Sequence, residues 1–98
     1  MIIITGTVQG SPDSIDELIA ASLEHVHRSR GEPGCISHAV HRDVEDENRL
    51  VFFERWADHD AVRAHFAVPE SASFVAAIAR LSVSPASIQL YEAEKTTV

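Results

Sequence analysis

The run Arg49–Phe66, RLVFFERWADHDAVRAHF, constrains the fold more than any other stretch. Leu50 to Trp56 reads as a strand, with Phe52, Glu54 and Trp56 on one face and Val51, Phe53 and Arg55 on the other. Asp58 then caps a helix that carries Ala61, Val62, His65 and Phe66 along one stripe. A strand that runs straight into an amphipathic helix is a sheet element with its own cover. The same run sets a carboxylate, Glu54, among apolar neighbours, which is costly unless the group is paired or used.

The flanking segments fix the order of elements. Ile2 to Val8 is apolar and β-branched, with Gly6 marking a bulge or a close approach. Ser11 and Pro12 read as N-cap and first-turn proline of a helix in which Ile15, Leu18, Ile19, Ser22, Leu23 and Val26 recur at helical spacing. Gly31 is its expected C-cap, and Glu32-Pro33-Gly34 is a turn. Cys35 to Val44 alternates, so Ile36, His38 and Val40 share one face and Cys35, Ser37 and Ala39 the other. Glu45 to Asn48 reads as a polar hairpin connection. Pro69 breaks the second helical region, which resumes from Ser71 to Leu81 with Phe74, Val75 and Ile78. Ala86 to Ala93 is the last strand, and Glu94 to Val98 reads as a frayed tail.

The order β-α-β-β-α-β predicts an α+β, ferredoxin-like fold, with a four-stranded antiparallel sheet and both helices on one face. The central hairpin is apolar on both faces, so the open side of the sheet needs a cover. A homodimer with two sheets packed face to face supplies one.

Bulk properties narrow the partners. Ninety-eight residues fit one domain, 1–98. A net charge of −7 argues against nucleic acid or an anionic membrane as partner, because both need basic patches. One cysteine forms no intramolecular disulfide, and no apolar run approaches a membrane span. The amino terminus lacks a basic leader, so a soluble, cytoplasmic protein is expected.

The string EPGCISHAVHRDVEDENRLVFFERWADHDAVRAHFAVPESASFV resembles the antibiotic biosynthesis monooxygenase (ABM) domain. The likeness rests on the Glu-Pro-Gly-Cys turn, the acidic hairpin ending in Asn48-Arg49, the Phe53-Glu54-Arg55-Trp56 strand end, the Asp58-capped helix with Ala64-His65, and the Pro-Glu-Ser break before Phe74. It extends from Ile2 to about Glu92. The resemblance implies a dimeric α/β barrel with one pocket per subunit between sheet and helices. Relatives include cofactor-independent oxygenases of quinols and polycyclic phenols, haem degraders, and a branch that handles a bacterial signalling molecule. The haem degraders' Asn, Trp and His neighbourhoods hold Thr5-Gly6-Thr7, His65 and Val75 here, so haem degradation is not expected. The family's strand-end Glu falls on Glu54 and its frequent helix His on His65.

Each candidate has a plainer reading beside the functional one. Glu54 is a base, an orienter of a histidine, or half of a structural ion pair with Arg55 or Arg63. His65 takes a phenolic proton, since imidazoles titrate near neutral pH, or it packs at a helix end. His38 lines the pocket if its face meets the helices, and an interface if it meets a partner sheet. Phe52, Trp56, Phe66 and Phe74 wall an aromatic substrate or fill the core. Cys35 has no local activating base and reads as structural.

Among six histidines, His25 and His27 diverge on a helix, His38 and His41 oppose on a strand, and no H-E-x-x-H occurs. No metal site is expected, although ligands from distant segments stay possible. No phosphate loop or dinucleotide fingerprint is present, so no cofactor is expected. The expected function is a cofactor-independent monooxygenase of a small aromatic such as a quinol or polyphenol. The alternatives are a binding protein without turnover and a non-oxidative isomerase on the same scaffold.

Overall fold

In the first strand, every second residue is sealed from solvent up to Gly6: Ile2 and Ile4 are buried, and Val8 resumes the pattern. Their neighbours Ile3, Thr5 and Thr7 are half-exposed on the other face. A computed structural model describes all 98 residues, and it places this strand inside a four-stranded sheet. The elements are β1 (Ile2–Gln9), α1 (Ile15–Ser29), β2 (Cys35–Asp43), β3 (Asp46–Trp56), α2 (His59–Ala67), α3 (Pro69–Leu81) and β4 (Ser87–Glu92). The spatial order is β2-β3-β1-β4, and every pairing is antiparallel. This is the expected β-α-β-β-α-β plan, with the second helical region split in two.

Helices cover one face of the sheet. Ile15, Leu18 and Val26 from α1 meet Val8, Leu50, Phe52 and Ile78 in one cluster, and Ile2, Ile4, Trp56 and Val62 form a second. Each fully buried side chain of this size contributes about 1.5–3 kcal/mol. The opposite face stays open, with Phe53 41 % and Tyr91 49 % exposed. Strand β4 is exposed along its whole length.

Several boundaries differ from the sequence expectation, each for a local reason. Helix α1 starts at Ile15 after Ser14. Ser11 and Pro12 instead belong to a preceding turn, where Ser14 Oγ accepts the Ser11 N–H and Ser11 Oγ accepts the Ser14 N–H. The helix ends on Arg30 in helical geometry, with Gly31 beyond it. Strand β3 begins at Asp46, so the hairpin connection is only Val44-Glu45. Carboxylates make that short turn possible: Asp43 accepts the Glu45 N–H and Asp46 accepts the Asn48 N–H. Helix α3 starts at Pro69, where the missing N–H has no cost, and Val68 is extended before it. Asp58 caps α2 through Oδ1, which accepts the Ala61 N–H at 2.9 Å.

The alternation expected for β2 fails at Ile36. Cys35 pairs with Trp56, Ser37 with Arg55 and His38 with Glu54, so Ile36 is an extra, bulged residue. The bulge turns Ile36 outward and brings Cys35 and His38 to the same, helix-covered face. His38 therefore faces the helices and not the open side of the sheet.

Candidate active site

Four elements deliver ionisable side chains to one buried point. The β2–β3 register sets His38 opposite Glu54, and Trp56 follows two residues on along the same face. Helix α1 brings His25 and helix α2 brings His65. Ser29 Oγ donates to the His25 carbonyl, and Ser71 Oγ donates to the His65 carbonyl, each at 2.7 Å. The second bond ties the start of α3 to the end of α2.

Glu54 is buried, and its Oε1 accepts the Trp56 indole N–H at 2.9 Å. His38 Nε2 lies 3.1 Å from the same oxygen, but off the axis of a hydrogen bond. Neither ring nitrogen of His38 has a hydrogen-bond partner, although the side chain is sealed from solvent. His65 Nδ1 sits 2.8 Å from Glu32 Oε1, and the Arg28 guanidinium lies 3.8 Å from Glu32 Oε2. Arg28 also lies 2.9 Å from His25 Nδ1.

These contacts fix two tautomers. A guanidinium only donates, so His25 Nδ1 accepts and the ring proton sits on Nε2. A carboxylate only accepts, so His65 Nδ1 donates, which makes Nε2 the lone-pair nitrogen of the neutral ring. Burial, together with His38, His65 and Arg28, lowers the His25 pKa to about 3, which keeps the ring neutral. One nitrogen from each of the three rings lies within 4.8 Å of the others. The donor set falls short of a three-histidine metal centre, because Arg28 occupies the His25 Nδ1 lone pair and leaves a proton on Nε2.

Next to this cluster is a cavity of about 220 Å³ whose wall includes Gly6, His25, Phe52, Glu54, Phe74 and Ile78. A side chain at Gly6 would crowd Ser87 O, with a Cβ at 3.2 Å. His25 and Phe74 stack face to face, 4.0 Å between ring centroids. Both also border a second recess of about 290 Å³ between α1 and α3, so the stacked pair is the partition between the two. A larger hollow of about 490 Å³ beside His59 and Glu92 shares no lining residue with the histidine cluster.

The sequence model of the antibiotic biosynthesis monooxygenase family matches residues 1–77. The chain belongs to that family. It is 36% identical over 95 residues to an uncharacterised Synechocystis protein, covering 97% of this chain and 65% of that one. It is 31% identical over 78 residues to the deoxynogalonate monooxygenase of Streptomyces nogalater, covering 80% of this chain and 64% of that one. The chain thus spans just under two thirds of both. The fold superimposes on a candidate antibiotic biosynthesis monooxygenase from Deinococcus radiodurans with TM-score 0.95 and 26% identity, covering 100% of this chain and 97% of that chain. The structure of SnoaB, a cofactor-independent oxygenase from Streptomyces nogalater, shares the fold with TM-score 0.84 at 22% identity, covering 97% and 94%.

In this antibiotic biosynthesis monooxygenase family member the anticipated residues fall in four places. Glu54, Phe52 and Phe74 stand in the cavity wall. His38 and His65 are outside that wall, in the buried cluster with His25, at ring-centroid distances of 5.2 Å from His25. Trp56 is fully buried and reaches the cavity only through its bond to Glu54. Phe66 is 47 % exposed, with its ring 5.5 Å from His65. Cys35 packs beside the second apolar cluster, and burial, Glu32 and Glu54 raise its pKa, which suits an inert thiol.

His25, Arg28 and Glu32 were not singled out from the sequence as site residues. A signal for His25 existed: Leu18, Ser22, His25 and Ser29 follow one another at helical spacing, and all four are buried. A run of polar residues on the buried stripe of a helix marks something other than plain core.

Proposed function

We propose that the protein is a cofactor-independent monooxygenase that oxidises a small aromatic hydroxyl compound, a quinol or polyphenol, with Glu54 as the base. The observation that carries this reading is a buried carboxylate, held by the Trp56 indole, in the wall of an otherwise largely apolar cavity. Family membership and the deoxynogalonate monooxygenase among its relatives support the reaction class.

Glu54 takes the phenolic proton, and desolvation by Phe52, Phe74 and Ile78 raises the reactivity of the phenolate. The phenolate gives an electron to dioxygen, and recombination forms a C–O bond. Loss of water then leaves the hydroxyquinone. The substrate supplies all four electrons: quinol plus O2 gives hydroxyquinone plus H2O. The cavity is about one and a half times the ~150 Å³ that holds a single benzene ring. That favours one- and two-ring substrates over four-ring ones. We also propose a homodimer formed through the open sheet face that bears Phe53 and Tyr91.

Oxygen uptake with a panel of one- and two-ring quinols tests the activity. Wild type should exceed the uncatalysed rate, and Glu54→Gln should not. Equal background rates in both would overturn the reading.

A further inference from the structure

Deprotonation and water formation are separated in time by the reaction with dioxygen. A proton that stays on Glu54 in the interval can return to the phenolate and undo the first step. Glu54 is only 7 % exposed, so solvent does not take the proton directly. The groups behind it form a row that ends at the surface.

We propose that His38, one bound water, His65 and Glu32 form a proton path from Glu54 to solvent, with the water held between the rings of His25, His38 and His65. The proposal rests on the reading of Glu54 as the base. His38 is the demand for the water: it is 1 % exposed, and neither of its ring nitrogens is hydrogen-bonded. Nε2 has Glu54 Oε1 3.1 Å away, whereas Nδ1 has no protein partner, and an orphaned nitrogen at that depth costs too much to stay unmet.

The tautomers select water over a metal ion. His25 offers a metal no lone pair, because Nδ1 accepts from Arg28 and Nε2 carries the proton. Three atoms that all lie within 4.8 Å of one another share a central point at most about 2.8 Å from each, which admits a water at hydrogen-bond length. Water accepts from His25 Nε2–H, donates to the lone pair on His65 Nε2, and bonds His38 Nδ1. Three hydrogen bonds are the usual complement of a buried water.

The path is directional in its atoms. A proton from Glu54 Oε1 enters His38 at Nε2, 3.1 Å away, once the ring turns onto the hydrogen-bond axis, and leaves from Nδ1 to the water. The water passes a proton to His65 Nε2, and His65 releases one from Nδ1 to Glu32 Oε1, 2.8 Å away. Glu32 lies in the turn at the end of α1, between exposed Gly31 and Pro33, and its side chain is 15 % exposed. No oxidant or reductant is needed, because only protons move. His65 is then a positioning and proton-passing group, not one that touches substrate.

The test uses 1,4-naphthoquinol under argon in a stopped-flow instrument with a pH-indicator dye. Absorbance reports phenolate formation, and the dye reports the proton in solvent. In wild type the two signals should rise together. In His65→Phe and in Glu32→Gln, phenolate should form while dye response lags at least 10-fold, and added imidazole buffer should restore it. Lag-free release in both variants would overturn the path and leave Glu54 as base. Absence of phenolate in wild type would overturn the base reading, and the path with it. A high-resolution crystal structure gives a second readout: one water within hydrogen-bond distance of all three rings supports the path, and an empty centre or an anomalously scattering metal overturns it.

Discussion

His38 and Glu54 face each other across the β2–β3 register, with Nε2 3.1 Å from Oε1 and both side chains nearly sealed from solvent. The carboxylate therefore answers to two neighbours at once, His38 and the Trp56 indole. Glu54→Gln keeps an oxygen for the indole and removes the proton acceptor. Its kcat should fall ~10²–10⁴-fold, the usual contribution of a positioned base, while its melting temperature stays close to wild type. Steady-state oxygen uptake and thermal unfolding check the two halves.

The Trp56–Glu54 hydrogen bond is buried, so its loss should register in stability. Trp56→Phe strips the carboxylate of its aligned donor and should cost about 1–3 kcal/mol from that group alone, beyond the packing lost with the larger ring. A double-mutant cycle with Glu54→Met, which removes the acceptor oxygen, separates the two contributions in urea unfolding. A coupling energy indistinguishable from zero would mean that the indole only fills space.

His25 gives stability a pH dependence of known sign. Its folded pKa of about 3 lies below the ordinary 6.5, so the unfolded chain binds a proton that the folded chain refuses. The contribution is fully present above about pH 6.5 and is lost as the pH falls from there toward about 3. Wild type should therefore lose stability relative to His25→Gln between pH 7 and pH 4, because glutamine does not titrate. Parallel unfolding free energies across that range would contradict the buried, neutral imidazole.

The order of elements was legible because apolar alternation, the Asp58 cap and the Pro69 break each act locally. The site was legible only in part. Glu54 stood out as a charge in an apolar strand. The side taken by His38 did not, because one bulged residue, Ile36, shifts the parity of β2, and a bulge has no marker in this stretch. Burial of His25 and its contacts with His38 and His65 arise from packing α1 and α2 onto β2. Residues 13 and 40 positions from His25 carry no mutual spacing signal. The Arg28 and Glu32 contacts that set the tautomers are equally non-local in effect, since they matter only once the rings meet.

The open face of the sheet makes an assembly prediction. Phe53 and Tyr91 are large, exposed and on the side away from the helices, with Phe53 opposite Thr5 and Tyr91 opposite Ile3 across the pairings to β1. Sedimentation at micromolar concentration should give the mass of two 10.7 kDa chains, and Phe53→Lys should shift it toward one. A wild-type mass near one chain would sink the dimer.

Gly34 holds the turn that presents Glu32 to His65. Its φ is +82°, and its carbonyl accepts the Ala57 N–H at 2.8 Å, which pins the turn to the end of β3. An added Cβ would collide with Ala61 Cβ on α2. Gly34→Ala should therefore cost more than the ~1–2 kcal/mol of the left-handed backbone alone. Adding Ala61→Gly should recover the collision and leave the backbone cost, apart from the ~1 kcal/mol that a helical glycine adds by itself. Urea unfolding of the single and double variants, each corrected against Ala61→Gly, separates the two. If Gly34→Ala alone is neutral, the turn does not require its left-handed residue, and the placement of Glu32 beside His65 does not depend on it.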